Sequence, residues 1–405
     1  MTHAPKLRPL SIYLVAGEES GDALGAALAR ALLSSAGNQI KLAGVGGRSM
    51  AAAGIASPYS IDDLSIIGLS GITQRLPTIL RRIRETANIV VTAQPDALVI
   101  IDSPDFTHRV ARRVRARSPA IPILDYVSPS VWAWRPWRAR AMRAYVDCVL
   151  AILPFEPAAH LRLGGPPCIY VGHPLTERLA ELRPNAEEAQ RRHADPPLVL
   201  VLPGSRSSEI RRLLAIFGEA IGNLSKRVGA VELMLPTVPH LFASVSKGVE
   251  GWAVKPRIVV EPADKYAAFR TARAALAASG TVTLELALAG VPMVAAYKVP
   301  LIEEIIMRPY LTRTIPSVIL ANLVIGENVV PEFLQSNCTA PKLADALAPL
   351  LWDSPERARQ IGALAKLDAI MMLGEEPSAK AAAIVLDVAR RGRRNGAAVE
   401  AQRQS

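Results

Sequence analysis

Short strand-like runs alternate with helical stretches through the first half of the chain. Strands are predicted at residues 11–16 (SIYLVA), 39–42, 97–101 (ALVII) and 121–127, and helices at 22–33 and 107–116. Because the clearest of these runs are apolar at every position rather than at alternate ones, they predict a parallel sheet covered on both faces. The pattern favours an α/β fold.

The strand–helix pattern starts again after residue 197. Strands are predicted at 198–202 (LVLVL), 231–235, 257–260, 274–278 and 293–297, whereas 184–197 (PNAEEAQRRHADPP) has the polar, proline-flanked composition of a linker. We therefore predict two doubly wound, Rossmann-like domains, residues 1–183 and 198–340, that face one cleft. Residues 341–389 are predicted to form carboxy-terminal helices, and 390–405 a disordered tail.

Composition and charge narrow the class of protein. The chain has 405 residues, 50% of them hydrophobic, which suffices for two buried cores and argues against intrinsic disorder. The excess of 47 Lys and Arg over 36 Asp and Glu gives a formal charge of +11 and favours anionic partners. Three scattered cysteines predict no disulfide framework, and the lack of a long apolar run predicts no signal peptide or spanning helix. These features predict a cytoplasmic protein.

The first predicted strand ends in a glycine-rich turn, Gly17 to Asp22 (GEESGD). Such a turn between a strand and a helix brings backbone N–H groups and the positive end of the helix toward a ligand. The alternative is local, with Ser20 or Asp22 capping the helix. The turn lacks the complete GxGxxG pattern, so spacing alone leaves both interpretations open.

Asp102 directly follows the apolar run 97–101. The carboxyl end of a central parallel strand lies at the crevice where such folds bind ligands, so Asp102 is a candidate general base. Alternatively, Asp102 or Asp105 caps the following helix, a role that suits Asp105 better. The two carboxylates lie three residues apart with Pro104 between them, so no divalent metal is inferred.

A segment rich in tryptophan and arginine follows at 126–138 (YVSPSVWAWRPWR). Trp132, Trp134 and Arg135 combine apolar rings with a cation, as expected at a lipid-substrate site or a membrane interface. The same residue types stack on single-stranded nucleic acid. A third interpretation places Trp132 and Trp134 in the core.

The second predicted domain opens with a tight turn, 203–210 (PGSRSSEI). The backbone amides of Gly204 and Ser205 and the guanidinium of Arg206 suit a diphosphate. The turn is not a P-loop, because it lacks the GKS or GKT ending.

A related strand–turn–helix design lies at 279–285 (SGTVTLE). The turn residues Ser279 and Gly280 offer amides to phosphate, while Thr281 and Glu285 share one face of the helix. A carboxylate at that position can accept hydrogen bonds from both ribose hydroxyls. Alternatively, Glu285 is an ordinary solvent-facing helix residue.

Apolar residues between Ile66 and Ile83 are edged by arginines. This composition predicts a face that lies on an anionic bilayer. The alternative is a core-facing helix with a solvated basic side. The arginines concerned are Arg75, Arg81, Arg82 and Arg84.

Taken in order, several of these stretches resemble the lipid-A-disaccharide synthase family of inverting glycosyltransferases. The matching stretches are VAGEESGD (15–22), IDSPDF (101–106), YVSPSVWAWR (126–135), LPFE (153–156), VGHPL (171–175), PGSRSSEI (203–210), SGTVTLE (279–285) and NLVIGENVVPEFLQ (322–335). The resemblance implies a two-domain fold of the GT-B type that needs no cofactor. It also implies transfer of 2,3-diacylglucosamine from UDP-2,3-diacylglucosamine to 2,3-diacylglucosamine 1-phosphate, which forms a β-1,6 bond.

The resemblance also implies roles for individual residues. Asp102 corresponds to the general base, and Glu18 and Ser20 to acceptor and catalytic positions. Contacts to the nucleotide or its diphosphate are implied for Arg206, Glu285, Asn322 and Gln335. The chain departs from the family at Gly71, where a glutamate is usual, so no role is carried over to that position.

The resemblance further implies an enzyme at the cytoplasmic side of the inner membrane, bound peripherally to its anionic surface, and a homodimer that exchanges carboxy-terminal segments. Two other classes compete with it. A UDP-sugar epimerase or another two-domain UDP-sugar glycosyltransferase has the same architecture. A nucleic-acid-binding protein would share the charge, but no known module appears, so we expect no nucleic-acid partner.

Overall fold

The computed structural model describes residues 8–64, 69–133, 135–300 and 316–392, without the side chains of residues 69–75. The chain folds into two compact units. The first runs to Thr176 and takes up the chain again at Met372, and the second is Glu177–Met371. Each unit contains a six-stranded sheet in which all neighbouring strands are parallel. The predicted α/β class with two doubly wound sheets is confirmed.

The sheet of the first unit has the strand order β2-β1-β3-β4-β5-β6. Because the chain adds β2 on one side of β1 and then β3 on the other, the strand order reverses between β1 and β3. The carboxyl ends at such a reversal are where open α/β sheets bind ligands. The strands are β1 (Leu10–Ala16), β2 (Ile40–Val45), β3 (Ala97–Ile101), β4 (Ile123–Tyr126), β5 (Cys148–Ala151) and β6 (Cys168–Tyr170).

Both faces of this sheet are covered. Ile12 and Leu14 of β1 pack in one core with α1 and the carboxy-terminal helix Pro377–Arg391, whereas Tyr13 and Val15 pack on the opposite face. This explains why the strand is apolar at every position. The other helices are α1 (Glu19–Ala36), α2 (Arg48–Ala52), α3 (Leu69–Ala93), α4 (Pro104–Arg117), α5 (Trp137–Met142) and α6 (Glu156–Arg162), with 3-10 turns at Gly37–Gln39, Ile61–Leu64 and Pro174–Arg178.

The sheet of the second unit has the order β12-β11-β10-β7-β8-β9, so its reversal lies between β7 and β10. Its strands are β7 (Leu198–Leu202), β8 (Glu232–Pro236), β9 (Arg257–Val259), β10 (Ala274–Ala278), β11 (Met293–Tyr297) and β12 (Glu332–Leu334). Four predicted strands, β3, β7, β10 and β11, match to the residue, whereas the short inner strand β5 and the short edge strands β6 and β12 were not predicted.

The longest helix of the second unit, α9 (Ser207–Val228), buries one apolar stripe. In α9, Ile210, Leu213, Phe217, Ile221 and Leu224 recur at helical spacing and are all buried in the core of this unit. The helices are α7 (Leu179–Leu182), α8 (Ala186–Arg191), α9 (Ser207–Val228), α10 (Phe242–Gly248), α11 (Pro262–Thr271), α12 (Thr281–Leu288), α13 (Leu320–Ile325), α14 (Ala340–Leu347), α15 (Pro355–Leu364) and α16 (Leu367–Met371), with 3-10 turns at Pro239–Leu241, Gln335–Asn337 and Ala348–Leu351.

The predicted linker, 184–197, is folded onto the second unit. Asn185 caps α8 by accepting the Glu188 N–H at 2.9 Å, and Glu188 returns a bond to the Asn185 N–H. The Arg192 guanidinium donates to the backbone carbonyls of Phe269 and Ala289. These contacts attach a segment of linker-like composition to α11 and α12, so the boundary between the units falls at residue 177 instead.

The predicted carboxy-terminal helices do not form one group. Those over 340–371 belong to the second unit, whereas Pro377–Arg391 returns to the first. Its residues Ala381, Val385 and Leu386 are buried in the same core as Leu28 and Leu32 of α1. The helix extends to Arg391, past the predicted start of the tail; residues 393–405 lie outside the described part. In the part of the chain that the structure describes, no helix is long and apolar enough to cross a membrane.

Candidate active site

Three predicted site segments meet at the strand-order reversal of the first unit. In the sheet register Ala16 of β1 lies beside Ile101 of β3, which in turn lies beside Tyr126 of β4. The residues that follow these three strands, 17–20, 102–105 and 127–130, therefore emerge at one edge. The first of these segments lies at least 82 residues before the second in the sequence. The parallel arrangement of β1 and β3 brings them together.

Asp102 holds a defined position at this edge. Its Oδ2 accepts a hydrogen bond from Ser20 Oγ at 2.9 Å, and its Oδ1 accepts one from the Ser103 N–H at 2.8 Å. The Thr107 hydroxyl donates to its backbone carbonyl at 2.6 Å. The carboxylate is half-buried, and its oxygens are oriented by bonds from two different elements. Glu18 lies two residues before Ser20 at the start of α1 and is exposed.

A cavity of about 360 Å³ opens beside Asp102 in the first unit. It contains two carboxylates, two guanidiniums and two hydroxyls. Its lining residues are Asp102, Pro104, Asp105, Val127, Ser128, Pro129, Ser130, Arg135 and Arg138. Arg135 was predicted as a contact of a lipid substrate or a membrane. Ser130 and Arg138 were not predicted as site residues, and the segment 126–138 (YVSPSVWAWRPWR) was their only sequence signal.

Backbone strain is concentrated at this cavity. Of the six described non-glycine residues with positive φ, Asp102 (52°), Val127 (83°) and Arg135 (54°) line it, and Ser103 (44°) adjoins it. For a β-branched residue such as Val127 a positive φ is particularly unfavourable. Strain of this kind costs on the order of 1–3 kcal/mol per residue and clusters at functional sites.

The capping alternatives are not what the structure shows. Neither Ser20 nor Asp22 caps α1: Ser20 contacts Asp102, and Asp22 accepts the Gly47, Ser49 and Met50 N–H groups at 2.7–3.0 Å. Asp22 thereby caps α2 rather than its own helix. No aspartate side chain caps α4 either, since Asp105 instead pairs with Arg138 at 3.2 Å and is 84% exposed.

Trp132 is held inside the first unit rather than free for a lipid. Its Nε1–H donates to Glu156 Oε1 at 3.3 Å, and its ring meets Phe155 edge-on with centroids 5.1 Å apart. Burial raises the pKa of Glu156 to about 7, although the Leu153 N–H and Trp132 bonds oppose that shift. Trp134 lies outside the described residues. Trp132 thus fits the core interpretation more closely than the membrane one.

Two buried histidines adjoin the cavity wall. His160 Nε2 shares a hydrogen bond of 2.8 Å with Ser128 Oγ, and burial lowers the pKa of His160 to about 4. His108 lies 3.2 Å from Asp125 and bonds Tyr145 through its other ring nitrogen. Burial raises the pKa of Asp125, and the nearby Asp102 adds to the shift. Neither histidine lines the cavity itself; His160 contacts its lining residue Ser128.

The second unit has its own cavity, of about 460 Å³, at the reversal between β7 and β10. It brings together both predicted nucleotide turns. Its polar or small lining residues are Gly204, Ser205, Arg206, Glu209, Thr237, Lys265, Ser279, Gly280, Thr281 and Glu285.

The Glu209 side chain binds backbone amides of the turn that was predicted to bind a diphosphate. Its carboxylate accepts the backbone N–H groups of Ser205 at 2.9 Å and Arg206 at 3.2 Å, and it pairs with the Arg206 guanidinium at 3.0 Å. Gly204 allows this approach, because at φ 116° a Cβ would lie 2.3 Å from the Glu209 carboxylate. In this structure the Ser205 amide thus binds a protein carboxylate, which differs from the prediction. The Arg206 side chain remains 76% exposed.

Glu285 is not a solvent-facing helix residue. Its carboxylate pairs with Lys265 at 2.7 Å and is 13% exposed. Thr281 stands one turn earlier in α12 and lines the same cavity. Lys265, on α11, was missed because no motif surrounds it. Ser279 and Gly280 line the cavity, but the Ser279 hydroxyl donates to the Val318 carbonyl at 3.0 Å and its backbone N–H to the Ala296 carbonyl at 2.9 Å.

Asn322 and Gln335 lie away from the described lining of this cavity. Asn322 is 2% exposed; its amide donates to Ser317 and Val330 and accepts from the N–H groups of Val329 and Val330. It therefore holds its own loop, unlike the predicted nucleotide contact. Gln335, at φ 51°, accepts the Val299 N–H at 2.8 Å.

The predicted membrane arginines differ in their surroundings. Arg82 is 19% exposed, pairs with Asp63 at 2.6 Å and Glu85 at 2.7 Å, and stacks over Tyr59. It is therefore engaged inside the protein and is not available for lipid. Arg81 and Arg84 are exposed on α3. The side chain of Arg75 and the surroundings of Gly71 lie outside what the structure describes.

Sequence comparisons place this chain among named relatives. The family model described as "Lipid-A-disaccharide synthetase" matches residues 12–386. The chain is 61% identical to a lipid-A-disaccharide synthase of Rhodopseudomonas palustris over 95% of this chain and 96% of the relative. It is 60% identical to one of Bradyrhizobium diazoefficiens over 95% and 97%.

Solved structures with the same fold are more distant in sequence. A UDP complex of Staphylococcus aureus MnaA has a TM-score of 0.60 at 13% identity and covers 94% of this chain and 95% of its own. Acinetobacter baumannii MurG has a TM-score of 0.56 at 16% identity, over 94% and 99%. These likenesses confirm the GT-B fold class alone, whereas the close relatives do not favour the epimerase alternative.

Proposed function

The chain belongs to the lipid-A-disaccharide synthase family, and we propose that it transfers 2,3-diacylglucosamine from UDP-2,3-diacylglucosamine to the 6-hydroxyl of 2,3-diacylglucosamine 1-phosphate. As a glycosyltransferase of lipid A synthesis it acts on a UDP-sugar. The acyl-sugar identities of donor and acceptor come from the family. The observation that carries the assignment of roles is Asp102, held by two hydrogen bonds at the strand-order reversal beside a cavity.

Asp102 is the general base in this proposal. A β-linked product from an α-linked donor requires a single displacement, so the acceptor hydroxyl must lose its proton as it attacks. A carboxylate fixed within hydrogen-bond reach of that hydroxyl supplies the acceptor for the proton. Ser20 orients the carboxylate through its 2.9 Å bond, and Glu18 adds a second carboxylate near the start of α1.

The cavity of the second unit is proposed to bind UDP. The first N–H groups of a helix have no partner within the helix, so the amino end of α12 at Gly280 and Thr281 suits the diphosphate. Glu285 is placed to accept from the ribose hydroxyls, with Lys265 beside it. Arg206 adds an exposed cation, which its 3.0 Å pair with Glu209 holds beside the turn.

Leaving-group stabilisation in this scheme is electrostatic. As the glycosidic bond breaks, negative charge develops on the UDP phosphates. Preorganised amides of α12 and the guanidinium of Arg206 meet that charge without moving far. Asn322 and Gln335 act one step removed, by holding the loops that follow β11 and α13. Asn322 is thus proposed as a positioning residue.

Substrates that carry acyl chains scarcely leave the membrane, so we propose peripheral association with the anionic cytoplasmic face of the inner membrane. Support comes from the net charge of +11 and the exposed Arg81 and Arg84. Of the Trp–Arg segment, Arg135 remains a candidate contact for the lipid acceptor. A homodimer with exchanged carboxy-terminal segments remains a proposal from the family alone.

The test is a reconstituted reaction. The full-length protein in mixed detergent micelles is incubated with UDP-2,3-diacylglucosamine and 2,3-diacylglucosamine 1-phosphate, and UDP release is followed together with the disaccharide product. The proposal expects UDP release that requires both lipids. Release from the donor alone would indicate a hydrolase, and interconversion of the donor's 2-epimers would indicate an epimerase.

A further inference from the structure

The two arginines of the Asp102 cavity share it with the proposed general base. Arg135 and Arg138 line the same space of about 360 Å³ as Asp102, together with the hydroxyl-bearing Ser128 and Ser130. Small-molecule sites have volumes of roughly 300–1,000 Å³, so this cavity suffices for one sugar and a small charged group. Paired guanidiniums in such a space are suited to a phosphate, which they bind with forked N–H donors.

We propose that Arg135 and Arg138 bind the anomeric phosphate of the acceptor and thereby select a sugar 1-phosphate over a sugar with a free anomeric hydroxyl. This inference rests on the proposed function, because Asp102 must receive the attacking 6-hydroxyl. On a pyranose the 6-hydroxyl and the anomeric oxygen flank the same ring oxygen. When the 6-hydroxyl meets Asp102, the phosphate is therefore still within one sugar width, inside the same cavity.

The charges of the cavity fit an incoming anion. Asp105 already pairs with Arg138 at 3.2 Å, but the Asp105 side chain is 84% exposed. An exposed ion pair contributes little, because water screens it. A guanidinium has five N–H donors, so Arg138 can retain or release Asp105 when a phosphate arrives. The pair with Asp105 therefore opposes phosphate binding only weakly.

Arg135 is placed by strained backbone. Its φ of 54° lies in the left-handed region, and Val127 across the same cavity has φ 83°. A residue with a long side chain gains nothing intrinsic from that conformation, which costs roughly 1–2 kcal/mol. The surrounding packing imposes it: the preceding segment is anchored by Trp132 to Glu156 and by Ser128 to His160. The strain is consistent with a guanidinium that is kept at a defined position.

The experiment compares two acceptors that differ only in the phosphate. Values of kcat/KM are measured in neutral detergent micelles for 2,3-diacylglucosamine 1-phosphate and for 2,3-diacylglucosamine. A hydrogen-bonded contact to a charged group is worth about ten- to a hundredfold, so the wild-type protein should prefer the phosphorylated acceptor by at least that factor. In Arg135→Gln and Arg138→Gln this preference should fall by about tenfold or more.

Matched variants separate this role from net charge. Arg140→Gln and Arg143→Gln remove the same charge from exposed positions of the same segment that do not line the cavity, and their preference should equal that of wild type. Arg138→Lys keeps the charge but loses the fork, so an intermediate preference is expected. An unchanged melting temperature in each variant confirms that the first unit, which carries the substitutions, is folded.

Several outcomes would overturn the inference. These are an equal loss for both acceptors, a wild-type protein without preference, or an equal effect of Arg140→Gln. Loss of binding to anionic vesicles with the acceptor preference intact would instead mean that the arginines contact membrane headgroups. If the wild-type protein releases UDP with neither acceptor, the proposed function itself fails. If the wild-type protein is active and the Arg135 and Arg138 variants keep its acceptor preference, only the proposed phosphate site is wrong.

Discussion

Replacing Asp102 by asparagine separates proton acceptance from geometry. Asparagine tolerates the left-handed region, so the φ of 52° at this position is retained at little cost. Its amide oxygen can accept the Ser103 N–H in place of Oδ1, and its amide N–H can donate to Ser20 Oγ in place of Oδ2. The fold and the affinity for UDP should therefore survive, whereas no atom remains that takes up the acceptor's proton.

The expected loss follows from the role of a positioned base. Such a group contributes typically about 10²–10⁴-fold to the rate. This corresponds to about 3–5 kcal/mol of barrier, since each factor of ten equals about 1.36 kcal/mol. An alanine at position 102 would confound that value, because it would also lose both hydrogen bonds and disfavour the positive φ.

Single-turnover measurement with saturating donor and acceptor isolates the chemical step from product release. Asp102→Asn is compared with Asp105→Asn, which removes a carboxylate from the same cavity three residues away. The two variants lose the same charge, so long-range electrostatics are nearly matched. Only Asp102→Asn should lose the rate by two orders of magnitude or more, and its UDP dissociation constant should match that of wild type.

A single-turnover rate for Asp102→Asn within about tenfold of wild type would remove Asp102 from the base role. If Asp105→Asn then showed the larger loss, the base would be the exposed carboxylate paired with Arg138. Equal losses in both variants would mean that the cavity needs its total negative charge rather than one proton acceptor.

Three further predictions concern binding, the membrane and pH. Arg206→Ala should weaken UDP binding about ten- to a hundredfold in calorimetry, because a charge-assisted contact to the diphosphate is lost; an unchanged dissociation constant would leave Arg206 as a partner of Glu209 only. Arg81→Ser with Arg84→Ser should reduce flotation on anionic vesicles, at about 1 kcal/mol per arginine, and leave neutral vesicles unaffected; unchanged flotation would exclude α3 as the electrostatic contact. Burial lowers the pKa of His173 to about 4 from an ordinary 6.5. As the pH drops, the unfolded chain therefore takes up the proton before the folded protein does, and this favours unfolding. The free energy of unfolding should fall by about 3 kcal/mol in total between pH 6.5 and pH 4. His173→Asn, which keeps an acceptor for its neighbour's N–H, should therefore narrow the difference between the melting temperatures at pH 5 and pH 7.5, and an unaltered difference would contradict this assignment.

The central strands were predictable from sequence because burial on both faces leaves a continuous apolar run. Ala97–Ile101, Leu198–Leu202, Ala274–Ala278 and Met293–Tyr297 are all of this kind and match their predictions. The edge strands β6 and β12 have three residues each and are only half-buried, so their sequences carry no such run. Helix boundaries were less accurate, since α4 begins at Pro104, three residues before the predicted start.

The domain boundary was misplaced because composition does not reveal tertiary partners. Residues 184–197 are polar and flanked by proline, as a free linker would be. In the structure their charged side chains bind groups of α11: Glu188 accepts from the Arg270 guanidinium at 2.8 Å, and Arg192 donates to the Phe269 carbonyl. A charged residue that satisfies buried carbonyls has the same sequence appearance as one in solvent.

Because composition does not reveal tertiary partners, some predicted site residues have a different role in the structure. Asp102 and Glu285 were identified by motif, and the structure gives each a partner and a place at a cavity. Arg82 was predicted as a lipid contact from the composition of its segment, but it forms an ion pair with Asp63, which lies nineteen residues away in sequence. Side-chain pairing over such distances depends on the tertiary fold, and residue spacing on one helix carries no trace of it.

Both cavities occupy corresponding places in their sheets, which explains why the chemistry falls where it does. In each unit the strand order reverses beside the first strand, and the two helices that diverge there leave an opening at the carboxyl ends. The strand topology produces the opening, and the residues that line it determine which chemical groups it can bind. In the second unit the turns carry glycine at positive φ, as at Gly204, where a Cβ would lie 2.3 Å from the Glu209 carboxylate. In the first unit, two of the positive-φ positions carry Asp102 and Arg135, although glycine would be less strained there. Strained side chains of this kind are expected where the site requires a carboxylate and a cation.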